Sequence, residues 1–226
     1  MKNSDATKIV LFTSGTHFVV HFYENSFSGI LKHLQLEWNT DYTMLGSVGV
    51  PLFFLFGLMA IPGGWLSDRY GSKQLLLVCL FGASLASIMA SFTREVAGIS
   101  PMVVLSVLLA FLGLFAGLYH PAGLSFISRG IERKGRALGI HGIWGNLGTA
   151  SAPFVAAWLG SQFGWRFAFL AFGFPALFLG IALLFSSFKP QAGTHAVSGS
   201  ISWREFLPKQ ASAKVIHPLL VLYFIS

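Results

Sequence analysis

Six stretches of mainly apolar residues, at about 9–31, 43–66, 74–92, 101–127, 138–159 and 165–187, recur along the 226-residue chain. About 20 such residues in a helix span the ~30 Å hydrocarbon core of a bilayer. Only 10% of residues are charged and the mean hydropathy is +0.68, whereas soluble domains carry about 25% charged residues. So few charges cannot cover a globular surface, so the expected solvent is lipid. There every backbone polar group must be satisfied within the chain, and long apolar runs become helices. The expected class is an all-α, multi-pass membrane protein. Residues 1–187 read as a six-helix transmembrane domain and the polar segment 188–215 as a cytoplasmic linker. Within the linker, Trp203–Leu207 reads as a short interfacial helix. Residues 216–226 begin a seventh span that breaks off at Ser226, as in a partial chain.

The charge pattern sets orientation. With the N-terminus inside, twelve of the 15 Lys and Arg residues fall on the inner side and three (Lys32, Arg94, Arg166) on the outer side. Inner loops enriched in Lys and Arg are the rule, which places the N-terminus in the cytoplasm and suggests a bacterial inner membrane. The net charge of +7 is spread over short loops rather than one face, so it points to lipid and not to nucleic acid. The first run carries His17, His21 and Glu24 and is followed by no small-residue cleavage site, so it is not a signal peptide. The single cysteine, Cys79, lies in an apolar run. It excludes a disulfide framework or a thiolate metal site and reads as a small core residue.

An internal echo is visible. Trp65-Leu66-Ser67-Asp68-Arg69-Tyr70-Gly71-Ser72-Lys73 resembles Trp158-Leu159-Gly160-Ser161-Gln162-Phe163-Gly164-Trp165-Arg166. Each follows the second span of a three-span block, the first inside and the second outside. An inverted-topology repeat predicts this placement.

The stretch Gly64–Lys73 also resembles the signature loop of the major facilitator superfamily, G-x-L-x-D-R-x-G-R-K. Gly64, Leu66, Asp68, Arg69 and Gly71 match in position and Lys73 fills a basic site, while Ser72 departs from the pattern. The resemblance implies a bundle of two inverted three-helix repeats and a second six-helix half as partner. It also implies a loop that latches the halves in the outward-facing state. Physical chemistry adds that Gly64 permits close helix approach, Gly71 a tight turn, and that Arg69 and Lys73 anchor the loop inside. Arg129, at the inner end of the fourth span, is the expected contact of Asp68; the Arg129–Arg136 cluster otherwise serves topology alone. Many proton-coupled members of that family carry a buried Arg in the fourth span, and residues 101–127 contain none. The fifth-span Gly142, Gly145 and Gly148, with Pro153 apart from them, are at best a degenerate form of the family's Gly-Pro motif. The stretch Tyr119-His120-Pro121-Ala122-Gly123 and the His-rich first span resemble the fosmidomycin-resistance type of efflux protein.

Polar residues inside the apolar runs are the candidate site. At 100° per residue, Ser14, His17, His21, Glu24 and Ser28 lie within about 60° on one face of the first span. Phe12, Val19, Phe22, Tyr23 and Ile30 lie opposite. A carboxylate at a helix centre costs about 3 kcal/mol to insert, so Glu24 is either protonated or partnered. The stripe reads as the lining of a cavity with a His–Glu proton relay, or as a structural hydrogen-bond network. His120 precedes Pro121, which should kink the fourth span and free a carbonyl; His120 is then a midplane site residue or a packing histidine. His141, Gly145 and Gly148 share a face of the fifth span, and Asn146 and Trp144 are candidates for substrate contact or packing. His33, His195 and His217 receive no role.

The expected function is secondary transport of a small-molecule substrate by alternating access, with proton-coupled efflux as its finer form. No phosphate-cradling glycine loop, Ser–His–Asp pattern or zinc-type ligand run is present in the sequence. The chain therefore reads as no enzyme, with no cofactor and no metal. Two other classes are weighed: a non-transporting scaffold or sensor on the same fold, and a haem-binding redox protein using His17, His21, His120 or His141. The histidines of the first span are too close for two stacked haems, and a Soret band would mark that class.

Overall fold

The computed structural model describes residues 3–131, 134–186 and Phe188. The linker and the seventh-span start expected at 188–215 and 216–226 fall, apart from Phe188, outside the described residues. Among the described residues eight helices follow one another: α1 (Asn3–Trp38), α2 (Tyr42–Leu58), α3 (Ala60–Tyr70), α4 (Ser72–Ala90), α5 (Pro101–Gly117), α6 (Tyr119–Gly130), α7 (Lys134–Phe163) and α8 (Trp165–Phe185). Among the described residues there is no strand, only an isolated bridge between Val96 and Ile99.

The six expected apolar runs correspond to α1, α2 with α3, α4, α5 with α6, α7, and α8. Two of them are broken, and proline explains both breaks. Pro62 has no N–H for the carbonyl of Leu58, where α2 ends. Pro121 has none for the carbonyl of Gly117, where α5 ends. The axes of α2 and α3 differ by 45°. The two breaks meet, because a Cβ on Gly63 would press on the Pro121 ring and Leu118.

Ser72–Ala90, Pro101–Arg129 and Trp165–Phe185 are long and apolar enough to cross a membrane, and the bent pair α2–α3 makes a fourth. α1 and α7, of 36 and 30 residues, have the length. Their polar stripe and glycines dilute the hydropathy. That dilution marks helices packed in protein rather than bathed in lipid, and both faces of α1 bear this out: Ser14 and His17 on one side, Val19, Tyr23 and Ile30 on the other, are all buried.

Packing follows an inverted repeat. α1 packs mainly on α7, α2 on α5, and α4 on α8. Exchanging the first three-span block for the second maps this pairing onto itself. Glycines bring the backbones together at equivalent places: a Cβ at Gly29 or Gly148 would overlap the Pro153 or Phe18 carbonyl across α1–α7. One at Gly113 or Gly117 would overlap the Leu52 or Phe56 carbonyl across α2–α5. Small residues drive such approach where apolar lipid removes the hydrophobic incentive.

The echo is also a backbone repeat. Gly71 sits at φ 91°, ψ 145° and Gly164 at φ 87°, ψ 150°. Each donates its N–H to the carbonyl four residues back, Ser67 or Gly160, at 3.0 Å, and each is followed at once by a new helix. Positive φ with such ψ is open almost solely to glycine.

Candidate functional site

Four imidazoles converge where α1, α6 and α7 meet. His17 and His21 are one turn apart on α1. His120 opens α6 just past the proline-induced break, and His141 faces α1 from α7 because Gly145 leaves no side chain in the way of the His17 ring. His17 and His141 stack with centroids 3.9 Å apart at 14°. His21 and His120 lie 4.7 and 5.4 Å from the His17 ring, and 5.1 Å from each other. Phe56 closes one side, 5.6 Å from His120.

Hydrogen bonds fix the rings. His17 Nδ1 lies 2.8 Å from the His141 carbonyl; a carbonyl only accepts, so Nδ1 carries the proton and Nε2 presents a lone pair. That Nε2 is buried and has no partner. His21 Nδ1 lies 2.7 Å from Glu24 Oε2, which gives Glu24 the partner its depth requires. Tyr119, fully buried, donates its hydroxyl proton to the Thr13 carbonyl. It therefore accepts from His141 Nε2 at 2.9 Å. Ser14, on the same stripe, is buried with an unpartnered hydroxyl.

The structure thus brings His17, His21, Glu24, His120 and His141 together, and adds Tyr119, which the sequence offered only as part of a motif. Ser28 is exposed and bonds its own helix at the Asn25 carbonyl. Asn146 is exposed on α7 and makes none of the cluster's hydrogen bonds. Trp144 packs edge-on against Phe18. His33 rests against Gly160 on α7. A recess of about 310 Å³ between α1 and α7, lined by Val10, Arg136 and Ile140 among others, contains none of the histidines.

The signature loop forms a second constellation. Arg129 Nη2 donates to Asp68 Oδ1 at 2.7 Å, tying α6 to α3, with Asp68 72% exposed. Arg69 lies over the Trp65 and Tyr70 rings. Lys73 Nζ donates to the Ser186 carbonyl at the end of α8 at 2.7 Å. Gly64 faces open space, so the close approach expected there is made instead by its neighbour Gly63.

At the other turn stands a group the sequence reading passed over. Arg166 grips Glu37 with both Nη atoms, at 2.9 and 2.8 Å. It also donates to the Thr93 carbonyl at 3.1 Å. Trp165 Nε1 donates to the same carboxylate at 2.7 Å. Glu37 lies beyond the apolar part of α1, and its hydrogen bond from Arg166, with help from Trp165, holds its carboxyl below the usual carboxylate range against the opposing effect of burial. The signal for this clamp was the echo itself, which ends on Arg166.

Comparison with known proteins places the chain in a family. The family model described as Major Facilitator Superfamily matches residues 13–226. The probable sulfoacetate transporter SauU of Cupriavidus necator is 27% identical over 174 residues, 76% of this chain and 39% of that protein. The 4-hydroxybenzoate transporter PcaK of Pseudomonas aeruginosa is 29% identical over 193 residues, 82% of this chain and 41% of that protein. The chain thus spans about two fifths of the length of these relatives. Among solved structures, the inward-open xylose transporter XylE from E. coli superposes with a TM-score of 0.69 at 14% identity, covering 95% of this chain and 55% of that one.

Proposed function

The chain belongs to the major facilitator superfamily, and from that premise we propose that it is the N-terminal six-span half of a transporter that moves a small organic anion through a proton-coupled alternating-access cycle. The observation that carries this reading is the histidine cluster with its single carboxylate, Glu24, on spans that also pack by backbone contact. An ionisable group set inside a membrane bundle marks a pathway. The names of the relatives, a probable sulfoacetate and a 4-hydroxybenzoate transporter among them, support the anionic class of cargo. Imidazole N–H groups supply donors for a carboxylate or sulfonate. A 28% identical multidrug resistance protein B homolog of Mycobacterium tuberculosis and the resemblance of Tyr119–Gly123 support export as the direction. The excess of inner Lys and Arg supports a cytoplasmic N-terminus in a bacterial inner membrane.

In this cycle Glu24 is the coupling carboxylate and His21 its proton partner. His17, His120 and His141 line the path, and the Asp68–Arg129 loop engages the second six-helix half in the outward-facing state. The single test is flux of labelled aromatic and sulfonated carboxylates into proteoliposomes of the full protein under an imposed pH gradient. Gradient-driven flux that Glu24→Gln lowers at least tenfold, with solute exchange retained, is expected. Flux unchanged in Glu24→Gln removes that residue from coupling, and no flux of any anion removes the cargo class.

A further inference from the structure

We propose that His17, His21 and His120 form a binding site for a divalent transition-metal ion of the zinc type. One ring nitrogen from each of the three lies within 4.8 Å of the others. A tetrahedral zinc ion, with bonds of 2.0–2.1 Å, needs its nitrogens about 3.3 Å apart. The set closes onto an ion by ring shifts of about an ångström, and the pairing of two rings on one helix turn keeps them together.

The hydrogen bonds make the case stronger than proximity does. A metal-bound histidine characteristically directs its other ring nitrogen at a carboxylate or a backbone carbonyl, which fixes the tautomer and aims the lone pair. Both arrangements occur here. His17 Nδ1 gives its proton to the His141 carbonyl, and His21 Nδ1 gives its proton to the Glu24 carboxylate. In each case the free lone pair is on Nε2. His17 is 8% exposed and its Nε2 has no partner at all, which is costly for a buried polar atom unless something visits it. Glu24 adds the negative charge that a dication needs in a membrane interior. His141 stays outside the ligand set because Tyr119 holds its Nε2; it acts as a positioning residue through its carbonyl. Three neutral imidazoles leave a fourth position open and favour zinc, cobalt, nickel or copper over magnesium or calcium. This inference rests on the geometry of the cluster and not on the transport reading.

The test is calorimetric titration of the full protein, purified in detergent at neutral pH without a polyhistidine tag, with Zn²⁺ and separately with Mg²⁺. Co²⁺ titration follows the visible absorption of a tetrahedral site. The expected result is one Zn²⁺ per protein with a Kd in the micromolar range or below, no Mg²⁺ heat, and a Co²⁺ band. His17→Ala and His120→Ala should each weaken Zn²⁺ by at least thirtyfold and abolish the band, while His33→Ala leaves both unchanged. If His17→Ala does not fold, His120→Gln at the half-buried ring carries the same comparison. No stoichiometric Zn²⁺ binding, or binding that survives the His120 variants, overturns the proposal. A protein that binds zinc but carries no anion leaves the site standing, and one that transports without binding zinc removes only the site.

Discussion

The turns Trp65–Lys73 and Trp158–Arg166 share a backbone but hold their surroundings differently. Both pivot on a glycine at φ near 90° that ends one helix and starts the next. At the Trp65–Lys73 turn one hydrogen bond joins Asp68 to Arg129, and Asp68 is mostly exposed. At the Trp158–Arg166 turn Arg166 and Trp165 converge on one carboxylate and one carbonyl. These contacts fasten α1, the α4–α5 connection and α8 together. The same device thus makes one turn whose exposed carboxylate is held by a single arginine and whose lysine reaches the Ser186 carbonyl, and another stapled by a two-pronged pair. In the proposed cycle, a half that moves as a rigid body needs the second, and an interface that opens and closes needs the first.

Four substitutions test how alike the two turns are. The largest effect belongs to the shared backbone: Gly71→Ala and Gly164→Ala should each cost about 2 kcal/mol, because the conformation is strained for any side chain. Chemical denaturation in mild detergent measures it, and a cost at only one turn would contradict their equivalence. Arg166→Ala comes next, at about 1–2 kcal/mol, because it breaks a bidentate pair and leaves Trp165 alone on Glu37. Arg129→Ala should cost less than about 0.5 kcal/mol, as expected for one exposed pair.

The Glu37 clamp also makes stability depend on pH. The folded-state value of Glu37 is depressed, so the clamp's contribution is complete above about pH 4.3, the ordinary Glu value. It is lost as pH falls through the lower folded value. A melting curve series from pH 6 to 3 should show wild type losing up to about 1 kcal/mol more than Glu37→Gln.

Much of this was legible in the sequence because lipid imposes simple rules. Apolar runs of about 20 residues and the asymmetry of Lys and Arg delimit helices, and the Asp68 loop with Arg129 names a contact that the structure contains. The break at Leu58 escaped because Pro62 sits inside an unbroken apolar run, and its effect depends on one missing N–H. The His17–His21–Glu24 stripe was visible at helical spacing. Its meeting with His120 and His141, about a hundred residues away, depends on Gly145 and on the proline break, which no periodicity reports. The Glu37–Arg166 clamp joins residues 129 positions apart and had no signal beyond the echo.

If the Asp68–Arg129 loop gates, as proposed, and the Glu37–Arg166 corner only staples, flux and stability must separate between them. The direct measurement is flux per folded molecule in proteoliposomes of the full protein, with Asp68→Asn and Glu37→Gln assayed side by side and their melting midpoints recorded. The prediction is that Asp68→Asn loses at least tenfold in flux at an unchanged midpoint. Glu37→Gln should melt lower yet keep flux within twofold. The reverse pattern, with Asp68→Asn transporting normally and Glu37→Gln abolishing flux while folded, would contradict this division of roles.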